Sequence, residues 1–189
     1  ATYHPILLFG LVSQDLGQVT IQEFKNKNRE DVEGVQAILE KIRFQYSQNN
    51  IDSVEHHLIE LQCWPTKGEY FSIYYFLGKE YYESLKGNYQ TAIEYSFKAL
   101  SLVEKYGERA LLSEVLNCLG ANFLLLEELE SAQQYFNLAL KKGDLVSDQT
   151  KISIFNNLGI IYKKKEIIDS ALYYYNEAYD LIQIEGNPT

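Results

Sequence analysis

Methionine is absent from the 189 residues, position 1 included, and that absence reads as a processed chain or, more readily, a fragment of a longer one. Cysteine occurs only at Cys63 and Cys118, and neither has a Cys or His neighbour at metal-ligand spacing. A disulfide framework and a zinc site are therefore not expected, and a reducing cytoplasm fits the usage. Cys118 precedes Leu119 in a helical pattern, where a small buried thiol is the default. Long apolar runs are missing too. Pro5 to Val12 is apolar but has no basic region before it, so neither a membrane span nor a signal peptide is read there. Basic residues are outnumbered, 17 Lys and Arg against 26 Asp and Glu, for a net charge of −9. Such a surface suits solubility and is a poor match for phosphate backbones, so no direct nucleic-acid contact is expected.

Catalytic constellations are equally scarce. His56 and His57 are adjacent on a helical segment and are expected to point in different directions, whereas a helix grips a metal through residues three or four apart. No metal and no cofactor are expected. The single glycines in Leu77-Gly78-Lys79-Glu80 and Lys86-Gly87-Asn88 lack the surroundings of a phosphate loop. Carboxylates such as Glu127, Glu128 and Glu130 read as solvated turns. The chain reads as a binding protein, not an enzyme.

What is present is a repeat. Leu-Gly occurs at Leu77-Gly78, Leu119-Gly120 and Leu158-Gly159, and an aromatic follows each glycine by three residues: Tyr81, Phe123 and Tyr162. Alanines then recur seven apart, as Ala92 and Ala99, Ala132 and Ala139, Ala171 and Ala178. Each copy reads as two antiparallel helices, A and B. The glycine and the alanines sit where the two backbones approach, and the aromatic lies one turn along the same face. One pair cannot bury its apolar face alone, so pairs stack.

These residues resemble the tetratricopeptide repeat. The middle copy matches through Leu119, Gly120, Phe123, Ala132, Phe136, Ala139 and Leu140; the last through Leu158, Gly159, Tyr162, Ala171, Tyr175 and Ala178, with Tyr179 in place of leucine. The first departs at Ser96, where an aromatic is usual and Tyr95 or Phe97 would have to substitute. The glycines are 42 and then 39 residues apart, against about 34 in the usual repeat, which points to longer helices. In this the chain is similar to the bacterial peptide-sensing regulators of the Rap, NprR and PlcR group. The resemblance implies an all-α solenoid of antiparallel helix pairs wound into a right-handed superhelix, with repeats at about 67–106, 107–146 and 147–185. Residues 31–66 read as a divergent helical repeat. It has Val32, Val35, Ile38, Leu39 and Ile42 on one face and a capping-box spacing at Asp52–Glu55. Residues 1–30 read as an arm or short helices, with a possible cap at Thr20–Glu23. Trp64 to Gly68 breaks the helix. Asn88, and Ser147 or Asp148, read as helix caps.

The resemblance also implies a concave groove lined by helix-A residues at fixed offsets from the glycine. Carried over, these are Tyr75, Lys79, Tyr82 and Glu83; Asn117, Ala121, Leu124 and Leu125; Asn156, Ile160, Lys163 and Lys164. Asn117 and Asn156 occupy equivalent positions. An amide that both donates and accepts suits an extended peptide backbone, although such amides also tie neighbouring helices together. The expected partner is a short peptide or protein segment, with a general assembly scaffold as the alternative. The last helix, Ile167 to about Ile184, carries an apolar stripe of Leu172, Tyr175, Tyr179 and Ile182 and lacks a polar capping helix after it. A homo-oligomer or further repeats are therefore expected beyond it.

Overall fold

The computed structural model describes residues 22, 24–65, 68–141 and 146–186, and those residues contain helices and turns and no strand. Among the described residues eight helices with both ends in view follow one another: α1 (Arg29–Ser47), α2 (Ile51–Gln62), α3 (Glu69–Leu85), α4 (Tyr89–Tyr106), α5 (Arg109–Leu125), α6 (Leu129–Lys141), α7 (Asp148–Lys164) and α8 (Ile168–Gly186). They pack as antiparallel neighbours, α1 with α2, α3 with α4, α5 with α6 and α7 with α8. Helices α1, α3, α5 and α7 also meet their counterparts in successive pairs. The result is an all-α, solenoid-like stack. Thr20, Ile21 and Glu23, part of the expected first cap, and Lys142 to Asp144 lie outside the described residues, as do Thr66, Lys67, Asn187 and Pro188.

Sequence and caps account for the helix ends. The five apolar residues spaced at three and four along α1 are all buried. Helix α2 is capped by Asn50, whose side chain accepts from the Ser53 N–H at 3.2 Å; this replaces the box expected at Asp52, which lies inside the first turn. Ser147 caps α7 by accepting from the Thr150 N–H. Asn88 occupies the cap position of α4 without a side-chain cap bond, because its amide donates to Glu83 instead.

One turn recurs in all four pairs. Asn49, Gly87, Glu127 and Glu166 are left-handed, with φ of 54°, 77°, 62° and 61°. The N–H of the following residue returns to the carbonyl five residues back: Asn50 to Gln45, Asn88 to Glu83, Glu128 to Phe123, Ile167 to Tyr162. This is the Schellman closure, which satisfies carbonyls left over at a helix end. The pair α1–α2 thus turns as the three glycine-bearing pairs do, although Ile42 is in the core and the Leu-Gly signature is missing.

The glycines make a different contact from the one expected. A Cβ on Gly120 would lie 2.6 Å from the Phe136 ring, and one on Gly159 would lie 2.5 Å from the Tyr175 ring. The close approach is to the aromatic between the two alanines, not to the alanines themselves. At Gly78 no ring is available, because Ser96 holds that position, fully buried with its hydroxyl unpartnered. Neither Tyr95 nor Phe97 fills in: Tyr95 faces Phe76 and Phe97 is exposed. Ile42, Leu58 and Leu61 of the preceding pair close on Gly78 instead. The aromatics after the glycines stack across their pairs, Phe123 on Tyr135 at 5.4 Å and Tyr162 on Tyr174 at 5.3 Å. Tyr81 turns the other way and packs on Tyr46 at 4.8 Å.

Helix α8 has an inner and an outer side. Ala171 and Ala178 are buried and Tyr175 covers Gly159, so Tyr175 lies on the inner side. Ile168, Leu172, Tyr179 and Ile182 are exposed. No helix among the described residues is long and apolar enough to cross a membrane.

Candidate ligand-binding cavity

A cavity of about 590 Å³ opens where α3, α5 and α7 come together. Tyr46 of α1 and Glu80 and Tyr81 of α3 form one end. Asn117, Cys118, Ala121, Leu124 and Leu125 of α5 form a wall, with Glu127 of the following turn. Ser153, Asn157, Ile160 and Lys164 of α7 stand opposite. The α7 stripe is a helical one, at spacings of four, three and four, so a single face of that helix serves the cavity.

Of the groove residues expected from sequence, Asn117, Ala121, Leu124, Leu125, Ile160 and Lys164 are brought together here. Tyr75, Lys79, Tyr82, Glu83, Asn156 and Lys163 are not. Tyr82 donates to Glu55 of α2 at 2.8 Å. Lys79 pairs with Glu83 at 3.1 Å and lies over the Tyr82 and Tyr95 rings. Tyr75 packs against Phe76. Asn156 and Lys163 are exposed outside the lining. The reason is geometric. One turn before the position after the glycine falls between offsets of two and three, because a turn is 3.6 residues. Helices α5 and α7 approach the cavity from opposite sides, so α5 presents Asn117 and α7 presents Asn157. Helix α3 likewise offers the flank that faces α5, which carries Glu80 and Tyr81.

Asn117 serves as a tie between neighbouring helices. Its amide donates to Ser153 at 3.3 Å, tying α5 to α7, while its carbonyl oxygen is buried without a partner.

The deep end is a buried polar cluster that the sequence reading missed. Glu80 is 2% exposed. Its Oε1 accepts from Asn122 at 2.7 Å, and its Oε2 has no hydrogen-bond partner. Burial pushes this carboxyl up to about 7. The Asn122 amide and the weakly donating Cys118 thiol pull it back, and Glu114 adds to the rise. The thiol lies beside the carboxylate, but its geometry gives Oε2 no bond. Burial, with Glu80 next in importance among its charged neighbours, holds the Cys118 thiol well above its usual range, so it carries no thiolate at neutral pH. Glu114 accepts from the Tyr81 hydroxyl at 2.6 Å and from Arg43 Nε at 2.7 Å, and Arg43 Nη2 meets its second oxygen. Burial works against the Arg43 charge, and Glu114 outweighs it, leaving the guanidinium firmly ionised. The Tyr46 hydroxyl reaches Ser84 at 3.5 Å, and burial pushes its pKa up to about 12. At the rim Lys164 pairs with Glu127 at 3.0 Å.

A sequence signal for this cluster exists. The position two after each glycine is Glu80, Asn122 and Ile161, each 2% exposed or less. Two polar residues in a column that must be interior mark a buried polar contact between successive pairs.

Elsewhere, His56 and His57 do not point apart. Glu60, one turn on, lies between their two columns, 3.7 Å from His56 and 3.1 Å from His57, and the three ligand atoms fall within 4.8 Å of one another. Cys63 and Cys118 are both free.

No family model matches the chain, and no curated protein matches it. Among solved structures, the crystal structure of BtubC (BKLC) from P. vanneervenii is similar, with a TM-score of 0.59 at 19% identity over 89% of this chain and 71% of that one. At that identity the likeness bears on the fold, a stack of helix pairs.

Proposed function

We propose that this chain is a tetratricopeptide-type binding module that holds a short peptide or an extended protein segment in the cavity between α3, α5 and α7. The observation that carries the reading is the lining itself. Ala121, Leu124, Leu125 and Ile160 offer apolar contact. Glu80 Oε2 and Asn117 Oδ1 are buried acceptors without partners, on residues of the same walls. A concave, mostly apolar site with a few placed polar groups is the usual form of a ligand pocket, and one of about 590 Å³ takes one or two side chains of a bound segment. The module fits a cytoplasmic bacterial regulator of the peptide-sensing kind, in which the peptide biases the packing of successive pairs. An assembly scaffold is the second reading, favoured by the exposed apolar side of α8, which would also join two copies of the chain.

The test is selection from a random heptapeptide library on the intact chain, followed by calorimetry with the enriched peptides. They bind the parent, and Ala121→Trp, which fills the cavity from a partly exposed position, abolishes binding without lowering the melting temperature. No enrichment, or equal binding by Ala121→Trp, refutes the reading.

A further inference from the structure

Glu80 is buried with one carboxylate oxygen unpartnered. A carboxylate 2% exposed normally faces a cation or several donors. Here Arg43 is engaged by Glu114 and Glu40. Lys164 is held at the rim by Glu127. Asn122 occupies only one of the two carboxylate oxygens; the other is buried without a partner, on a residue that lines the cavity. Asn117 adds a second buried acceptor to that wall. The deep end therefore holds two acceptors without partners, and its own donors are the weak Cys118 thiol and the Tyr46 hydroxyl, which reaches Ser84.

We propose that this end of the cavity is a primary-ammonium pocket, in which Glu80 Oε2 accepts from the side chain of a lysine in the bound segment. The inference rests on the peptide-binding reading and deepens it. An ammonium suits the site better than a guanidinium. The planar fork of arginine is matched by two free carboxylate oxygens, and Asn122 has taken one, whereas an ammonium is a point charge that a single oxygen can hold. The four-carbon stem of lysine would run along Leu124, Ala121 and Ile160, which line the same cavity. Binding supplies the donor that Glu80 lacks and restores the charge that burial suppresses.

The experiment takes the heptapeptides selected on the parent. Lysine is enriched at one position. The peptides are resynthesised with an acetylated N-terminus and with that lysine replaced by norleucine or arginine. Norleucine weakens binding to the parent about tenfold or more, as loss of a charge-assisted hydrogen bond should. The same replacement changes binding to the isosteric Glu80→Gln by less than about twofold, and acetylation alone changes little. Carbon-detected NMR of the Glu80 carboxyl adds a reading that needs no variant. Saturation with the lysine peptide lowers its midpoint by about one unit or more, and the norleucine peptide leaves it in place. Peptides that bind without lysine enrichment, or a lysine preference retained by Glu80→Gln, overturn the ammonium pocket and leave the peptide reading standing. So does binding lost on acetylation alone. Failure to select any peptide overturns both.

Discussion

Adding one methyl group at Gly120 separates a glycine kept for close packing from one kept by chance. The new Cβ would stand 2.6, 2.7 and 2.9 Å from three atoms of the Phe136 ring. That ring is fully buried, flanked by the Ala132 and Ala139 side of its own helix, and has no open space to enter. Overpacking of this kind costs about 1–3 kcal/mol. Replacing a mid-helix glycine by alanine returns about 0.5–1 kcal/mol of helix propensity. The net effect of Gly120→Ala is a loss of roughly 1–2 kcal/mol, a fall of about 2–8 °C in melting temperature for a chain of this size. Gly78 is the control. Its added Cβ meets only the methyl tips of Ile42, Leu58 and Leu61 at 3.1–3.3 Å, and those ends can give, so Gly78→Ala melts within about 2 °C of the parent. Thermal unfolding followed by circular dichroism reads both. Pairing Gly120→Ala with Phe136→Leu tests the cause, since the double variant is more stable than the sum of its parts by about 1 kcal/mol. A Gly120→Ala chain that melts with or above the parent, or a Gly78→Ala chain that suffers more, refutes the ring contact as the reason for the glycine.

Stability also depends on Glu80. Its carboxyl titrates near 7 when folded against 4.5 ordinarily, so the folded state holds the proton more tightly. The stabilisation present below about pH 4.5 is lost as pH rises through about 7. Glu80→Gln removes that slope and leaves the variant more stable than the parent at pH 8, by up to roughly 3 kcal/mol; urea titrations at pH 5 and pH 8 with equal slopes for both chains would contradict this. Arg43→Met leaves Glu114 with only the Tyr81 hydroxyl. Because the pair is partly exposed, at 28% and 12%, the loss is about 2–3 kcal/mol. Adding Glu114→Leu recovers most of it in the same denaturation assay, and a harmless Arg43→Met would remove the pair from the account. Light scattering of the parent gives a dimer or larger, and Leu172→Glu with Tyr179→Glu gives a monomer; a parent that stays monomeric at high concentration defeats the contact.

Much of the fold was legible because it rests on spacing. The alternation of Leu-Gly, aromatic and alanine places helix A against helix B whatever else the chain does, and the apolar face of α1 follows from five residues at three and four. The cavity was half legible. Offsets from the glycine located Asn117, Ala121, Leu124, Leu125, Ile160 and Lys164. Which flank each helix shows depends on how successive pairs rotate against one another, and that exchanged Asn156 for Asn157 and took α3 out of the scheme. Ser96 was visible as a departure, but the residues that close on Gly78 come from a pair without the signature. Glu80 escaped notice because a lone glutamate in a helical pattern is ordinarily solvated; only its alignment with Asn122 and Ile161 reveals the burial. His56 and His57 are brought together by Glu60, a residue that their own adjacency does not point to.

The Arg43–Glu114 bridge has a consequence for how the stack comes apart. In an array where each unit touches only the next, opening spreads one step at a time from either end. Arg43 lies on α1 and Glu114 on α5, so this bond jumps over α3, and Tyr81 of α3 joins it midway. Three successive units are thereby latched into one. Among the described residues the last unit, α7 with α8, carries no such bridge; it is held by adjacent contacts, among them the Asn117–Ser153 bond and the Lys164–Glu127 and Lys165–Glu130 ion pairs. Amide exchange should then divide the chain unevenly, with α1 to α5 sharing one slow rate and α8 exchanging ahead of them as a separate leaf.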